Sequence, residues 1–152
     1  MPAADSIRKG DISMNSIHYR YQVDSTDFTR AGEASSKLKQ KLKQMNLPPD
    51  IIRRCAIAIY GGEINMVIHA NGGVIDVDIF PDQILMVLKD VGPGIPDIDQ
   101  AMQEGFSTAN TEVNSLGFGA GMGLPNMKRS SDEIHIDTEL GVGTTVTMVI
   151  RF

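Results

Sequence analysis

Three stretches of this chain carry residues whose types and spacing can do chemistry. The first is Asp90-Val91-Gly92-Pro93-Gly94, placed where an apolar run ends. A carboxylate at the end of a buried strand can accept a hydrogen bond from an amine, such as the exocyclic amine of adenine. Glycines beside it let the backbone pass close to a flat ring. The same residues also make an ordinary capped turn, and taken alone the segment reads that way.

The second stretch is Gly117-Phe118-Gly119-Ala120-Gly121-Met122-Gly123-Leu124. Glycine at every alternate position is conformationally costly unless the backbone must fold tightly. A run of free N–H groups ahead of a helix N-terminus makes a phosphate cradle. No Lys-Ser/Thr follows the last glycine, which excludes the Walker loop. The spacing is not G-x-G-x-x-G either, which excludes the dinucleotide-binding and ordinary protein-kinase loops. A flexible linker is the alternative, but Phe118, Met122 and Leu124 are poor linker residues.

The third is the pair Asn65 and His69, one turn apart on one helix face. An Asn oxygen can ligate a Mg²⁺ ion that already holds phosphate oxygens, because Mg²⁺ takes few protein oxygens beside its substrate. Internal hydrogen bonding is the alternative for both residues, and for His69 it is the reading adopted.

These residues need elements to position them. A chain of 152 residues fits one domain with a single core. Residues 1–15 are polar and aperiodic and read as a flexible leader, leaving 16–152 as the domain. Ile17, Tyr19, Tyr21 and Val23 alternate with His18, Arg20 and Gln22, the period of a strand. Asp24 to Asp27 is expected to cap a helix carrying Phe28, Ala31, Ala34, Leu38 and Leu42. Pro48 and Pro49 suit the opening of a second helix, whose stripe (Ile51, Ile52, Cys55, Ala58, Ile59, Met66, Val67) runs to about Ala70. Gly61 and Gly62 fall inside it at a cost of roughly 1 kcal/mol each relative to Ala, so a packing contact or a ligand is expected to approach there. Asn71-Gly72-Gly73 ends the helix.

Strands are expected at Val74 to Ile79 and Ile84 to Lys89, the second apolar enough to be a central strand buried on both faces. Asp97 to Gly105 is expected as a short helix, Phe106 to Leu116 as a polar loop, and Leu124 to Arg129 as another helix. Glu133 to Thr138 and Thr144 to Arg151 form a hairpin through Gly141 and Gly143. The order predicts an α+β two-layer sandwich, with a mixed, mainly antiparallel sheet and helices on one face.

Composition limits the remaining classes. Hydrophobic residues at 41% and charged residues at 22% match a soluble globular domain. The net charge of −5, without a basic run, argues against direct nucleic-acid binding. No apolar run reaches the ~20 residues that span a bilayer. Met1 to Ser13 lacks the apolar core of a signal peptide, so a cytoplasmic location without membrane contact is expected. Cys55, the one cysteine, reads as a buried small hydrophobe.

Asn65, Asp90-x-Gly92-x-Gly94, Gly117-x-Gly119-x-Gly121-x-Gly123 and Gly143-Thr144-Thr145 occur in that order. Together they resemble the four-motif signature of the ATPase superfamily of gyrase, Hsp90, histidine kinases and the mismatch-repair protein MutL. The resemblance covers roughly Ile51 to Phe152. It implies ATP and Mg²⁺ as cofactors, with Asn65 on the metal, Asp90 on the adenine amine, and Gly92 and Gly94 in the adenine pocket. It implies phosphate contacts for Gly119, Gly121 and Gly123, cofactor-binding positions for Gly117 and Leu124 in the same loop, and an adenine-side position for Thr145. The segment Pro96 to Leu116 corresponds to a mobile ATP lid. Lys128 is either a phosphate neighbour or a solvated helix residue.

Within these residues there is no room for the transducing domain of gyrase, Hsp90 or MutL. None of His18, His69 and His135 lies on a dimerisation helix of the histidine-kinase kind. What remains resembles the stand-alone anti-sigma factors that are serine/threonine protein kinases. That implies a sigma factor and a small antagonist protein as partners, phosphorylation of a serine on the latter, and a homodimer. In the kinase branch a Glu one turn before the motif Asn is the catalytic base, and here that position is Gly61. Glu63 is two residues from Asn65, about 200° around the helix, and should face away from phosphate. Weak kinase activity is therefore expected. A non-catalytic ATP-binding interaction module is the alternative.

Overall fold

The computed structural model describes residues 16–26, 28–102 and 123–152. Its strands are β1 (Ile17–Val23), β2 (Gly73–Ile79), β3 (Gln83–Asp90), β4 (Glu133–Glu139) and β5 (Gly143–Arg151), in the sheet order β1-β2-β3-β5-β4. Its helices are α1 (Glu33–Gln44), α2 (Pro49–Ile68), the short α3 (Ile98–Ala101) and α4 (Gly123–Ser130). The α+β architecture is as expected, but the sheet is not mixed: each of its pairings is antiparallel. Tight turns join β2 to β3 and β4 to β5, and such connections permit only antiparallel neighbours.

Strand alternation sorts the two faces of the sheet. Ile75, Val77 and Ile79 of β2, Ile84, Met86 and Leu88 of β3, and Val146, Met148 and Ile150 of β5 share one core with Leu38, Leu42, Cys55, Ile59 and Met127 of the helices. The other face holds a smaller apolar cluster of Phe80, Leu85 and Val149. Beside it His18 Nδ1 meets Asp78 at 2.7 Å and Arg20 Nε donates to Asp76 at 2.8 Å. β3 lies in the middle of the sheet, and Ile84, Leu85 and Met86 are fully buried, as its unbroken apolar run foretold.

The first helix starts later than its sequence implied. Phe28–Arg30 is a single 3-10 turn, and Gly32 precedes α1 at φ +94°, a left-handed conformation that interrupts any helix begun upstream. Asp24 instead closes a local turn, accepting bonds from the Thr26 N–H (2.8 Å) and Oγ1 (2.7 Å). No side chain next to α1 in sequence caps it. Glu63 of α2 does so from a distance: Oε2 accepts the Ala34 N–H and Oε1 the Ser35 N–H, both at 3.0 Å. Glu63 is 3% exposed, and its carboxylate meets the positive end of the helix.

One of the two α2 glycines has a packing explanation. A Cβ on Gly62 would run into the Leu88 side chain and stand 3.3 Å from Met127 Cε, so α2 crosses β3 and α4 at this point. Cys55 is fully buried, and burial pushes its thiol pKa up to about 12, which makes it a core residue and not a nucleophile. Among the described residues no helix is long and apolar enough to cross a membrane.

Candidate nucleotide site

Asp90 ends β3, paired with Gly73 of β2 and flanked on its other side by Gly143 of β5. A side chain on Gly73 would strike the Lys89 carbonyl, and one on Gly143 the Asp90 carbonyl, so the carboxylate sits in a slot that only glycines leave open. By alternation with Ile84, Met86 and Leu88, Asp90 faces the helices. Its Oδ1 accepts the Thr144 N–H at 2.8 Å, and Oδ2 makes no hydrogen bond among the described residues. Burial raises the Asp90 pKa, and the Thr144 bond draws it partly back.

Thr144 is 6% exposed, and its Oγ1 lies 3.0 Å from Thr138 Oγ1, which accepts the Ile95 N–H at 2.8 Å. These bonds tie the end of β3 to β5, β4 and the loop after Asp90. Thr145 is placed otherwise. It pairs with Lys89 and, by alternation, projects to the opposite face of the sheet with Thr147 and Val149. The threonine beside Asp90 is Thr144, and counting back by twos from Ile150, Met148 and Val146 would have found it.

Gly92 is buried, and a Cβ there would come within 2.9 Å of the Ala70 Cβ. Gly94 has φ +81°, with a Cβ position 2.8 Å from the Glu139 carbonyl. Both glycines thus bring the loop against the end of α2 and the β4–β5 turn, where Gly92 N–H donates to the Val142 carbonyl (3.1 Å) and Gly141 N–H to that of Pro93 (2.9 Å). Leu124 is 7% exposed and belongs to the core. Gly123 opens α4. Gly117, Gly119 and Gly121 lie outside the described residues, as do residues 1–15 and most of the segment from Pro96 to Leu116.

Asn65 is partly buried on α2. Its carbonyl accepts the His69 N–H at 2.9 Å, and its carboxamide makes no hydrogen bond among the described residues. Burial lowers the His69 pKa, which favours the neutral ring. Among the described residues no three His, Cys, Asp or Glu side chains are placed to hold a metal ion. One carboxamide oxygen together with oxygens of a bound ligand is a donor set that a Mg²⁺ ion accepts. Gly61 is buried one turn before Asn65, and Glu63 is committed to α1 on the other side of the helix. Nothing near Glu63 in sequence marks that role, because its partners are about thirty residues away along the chain.

The chain belongs to the family of histidine kinase-, DNA gyrase B- and HSP90-like ATPases, which it matches over residues 56–152. It is similar to the serine/threonine-protein kinase RsbT of Bacillus subtilis (strain 168), with 34% identity over 89 residues that cover 56% of this chain and 61% of the kinase. It is also similar to the anti-sigma F factor of Geobacillus kaustophilus (strain HTA426), with 31% identity over 140 residues, 87% of this chain and 89% of that protein. The mycobacterial sensor histidine kinase MprB aligns structurally at a TM-score of 0.49 and 17% identity, over 89% of this chain and 97% of that one. The chain spans less than two thirds of the RsbT kinase and most of the anti-sigma F factor.

Proposed function

We propose that the chain is a cytoplasmic Mg-ATP-binding anti-sigma regulator that phosphorylates a serine or threonine of a small antagonist protein, at a rate lowered by Gly61. One observation carries the nucleotide part. Asp90 is a half-buried carboxylate at the end of the central strand, oriented by the Thr144 N–H through one oxygen while the other has no partner among the described residues. In this reading Asp90 accepts the adenine amine, Asn65 holds Mg²⁺ with the phosphates, and Gly117, Gly119, Gly121 and Gly123 line the phosphate loop. A sigma factor is the second partner. Similarity to an RsbT kinase supports the protein-kinase part, and similarity to an anti-sigma F factor the regulator part.

Asp90→Asn is expected to weaken ATP binding by about 10- to 100-fold, the loss of a charge-assisted hydrogen bond of roughly 1.5–3 kcal/mol. Titration calorimetry checks it, and unchanged affinity in a folded variant would sink the assignment.

The raised Asp90 pKa gives a second expectation. The adenine amine needs the ionised carboxylate, so as pH is lowered ATP affinity should begin to fall sooner than an unperturbed Asp would allow. For stability the sign is opposite. A carboxyl whose folded pKa lies above its unfolded value favours folding more as it takes up its proton, so in this respect the ligand-free protein gains from acidification. Calorimetry across acidic pH should show the decline in the native protein and a flatter profile in Asp90→Asn.

A non-catalytic ATP-binding switch is the second reading, and Gly61 is the observation that favours it. Phosphate transfer from labelled ATP to a candidate antagonist, with ADP release measured alongside, separates the two.

A further inference from the structure

We infer that the outward strip of α2 around Ile57 and Tyr60 is the docking surface for an acidic protein, the phosphoacceptor of the proposed reaction; the assignment of that partner's role rests on the kinase reading above. Ile57 is 36% exposed and Tyr60 45% exposed on a helix whose other outward positions include the ion-paired Asp50 and Arg53. A solvent strip of this kind normally carries polar residues. Here the apolar pair stands at the end of the strip nearest Gly61, and Ile57, Gly61 and Asn65 follow one another at intervals of four along α2. The strip therefore leads from solvent toward the residue proposed to hold the metal.

The flanks of the strip are positive. Tyr60 lies over Gly32, where a Cβ would sit 3.1 Å from its ring, and this fixes which side of α1 adjoins the strip. Lys39 and Lys43 follow Gly32 by seven and eleven residues, which places them on that same side. On the other flank α4 packs against α2 through Met127 at Gly62, and it carries exposed Lys128. Across α1, α2 and α4 stand eight of the chain's 14 Lys and Arg; Lys37, Arg53 and Arg54 are paired with Glu33, Asp50 and Asp132, while the one other acidic residue of these helices is the buried Glu63. In a chain of net charge −5, this layer is a local cationic surface around an apolar centre. Such a surface fits an acidic partner with an apolar anchor, the tyrosine being a side chain that commonly dominates interface energy.

The test uses the full chain. A photo-crosslinking residue is placed at Ile57, at Tyr60, or at Leu140, a still more exposed apolar position on the β4–β5 turn. In the native host, positions 57 and 60 should trap one acidic protein that position 140 does not. With that protein purified, Ile57→Glu and Lys43→Glu should each weaken its binding by about ten-fold or more while ATP affinity stays within about two-fold. Added salt should weaken the complex as well. Absence of a crosslink at 57 and 60, equal trapping at 140, a basic captured protein, or unchanged affinity in both variants would each overturn the proposal. Binding of duplex DNA that is lost in Lys43→Glu would overturn it too, by giving the face to nucleic acid. If the native chain binds the partner but not ATP, the kinase reading fails while the docking surface stands.

Discussion

Gly61→Glu is expected to raise phosphoryl transfer by about 10²- to 10⁴-fold, the usual contribution of a positioned general base. Position 61 is one turn before Asn65 on the same side of α2, so a carboxylate there reaches toward the Asn65 carboxamide, the proposed metal ligand. Glu63 cannot substitute, because both of its oxygens are engaged by α1. Exchanging Gly for Glu within a helix also favours the helical state by several tenths of a kcal/mol, which offsets part of the cost of adding a polar side chain at a buried position. Transfer rates to the antagonist, measured beside ATP affinity and a thermal melt, give the result. A folded, ATP-binding variant with unchanged transfer would show that position 61 is not the base position. Some transfer in the native protein is compatible with this expectation, since positioning and metal electrostatics supply most of the catalysis in such reactions.

Glu63→Ala should have the largest effect on stability, about 3 kcal/mol, from two charge-assisted hydrogen bonds lost at a buried helix end. For a chain of this size that lowers Tm by roughly 6–12 °C. The loss is large because Gly32 offers no capping side chain, so Ala34 and Ser35 would be left with buried, unpaired N–H groups. Glu63→Gln keeps one acceptor oxygen and should lose roughly half as much. Denaturant melts of both variants decide the matter. A Glu63→Ala protein as stable as the native one would mean that water replaces the cap and that α1 is held by Leu38 and Leu42 alone.

The strands and the central position of β3 were legible because alternation and an unbroken apolar run report burial directly. Asp90 was legible for the same reason, standing where that run stops. The start of α1 was not, since Asp24 to Asp27 carries capping residues and only the left-handed turn at Gly32 shows that they cap something else. Thr145 stands one residue from the threonine that shares the side of Asp90, which in a strand is the difference between two faces. The threonines follow one another in the motif, and motif order alone does not say which one shares the side of Asp90. Glu63 was expected to face away from bound phosphate, and its carboxylate is engaged by the N–H groups of Ala34 and Ser35. What it faces instead, the first turn of α1, is a contact distant in sequence that periodicity cannot register.

The single thiol has a practical side. Cys55 is sealed in the core, where burial raises its thiol pKa, so the native sequence is expected to be silent to maleimide dyes. A cysteine introduced at Lys43 or Leu140 would be the one addressable handle, with no native residue removed from the core to obtain it. A dye at each of these positions, in separate preparations, would report on the helix layer and on the turn beside Asp90 as nucleotide and partner are added.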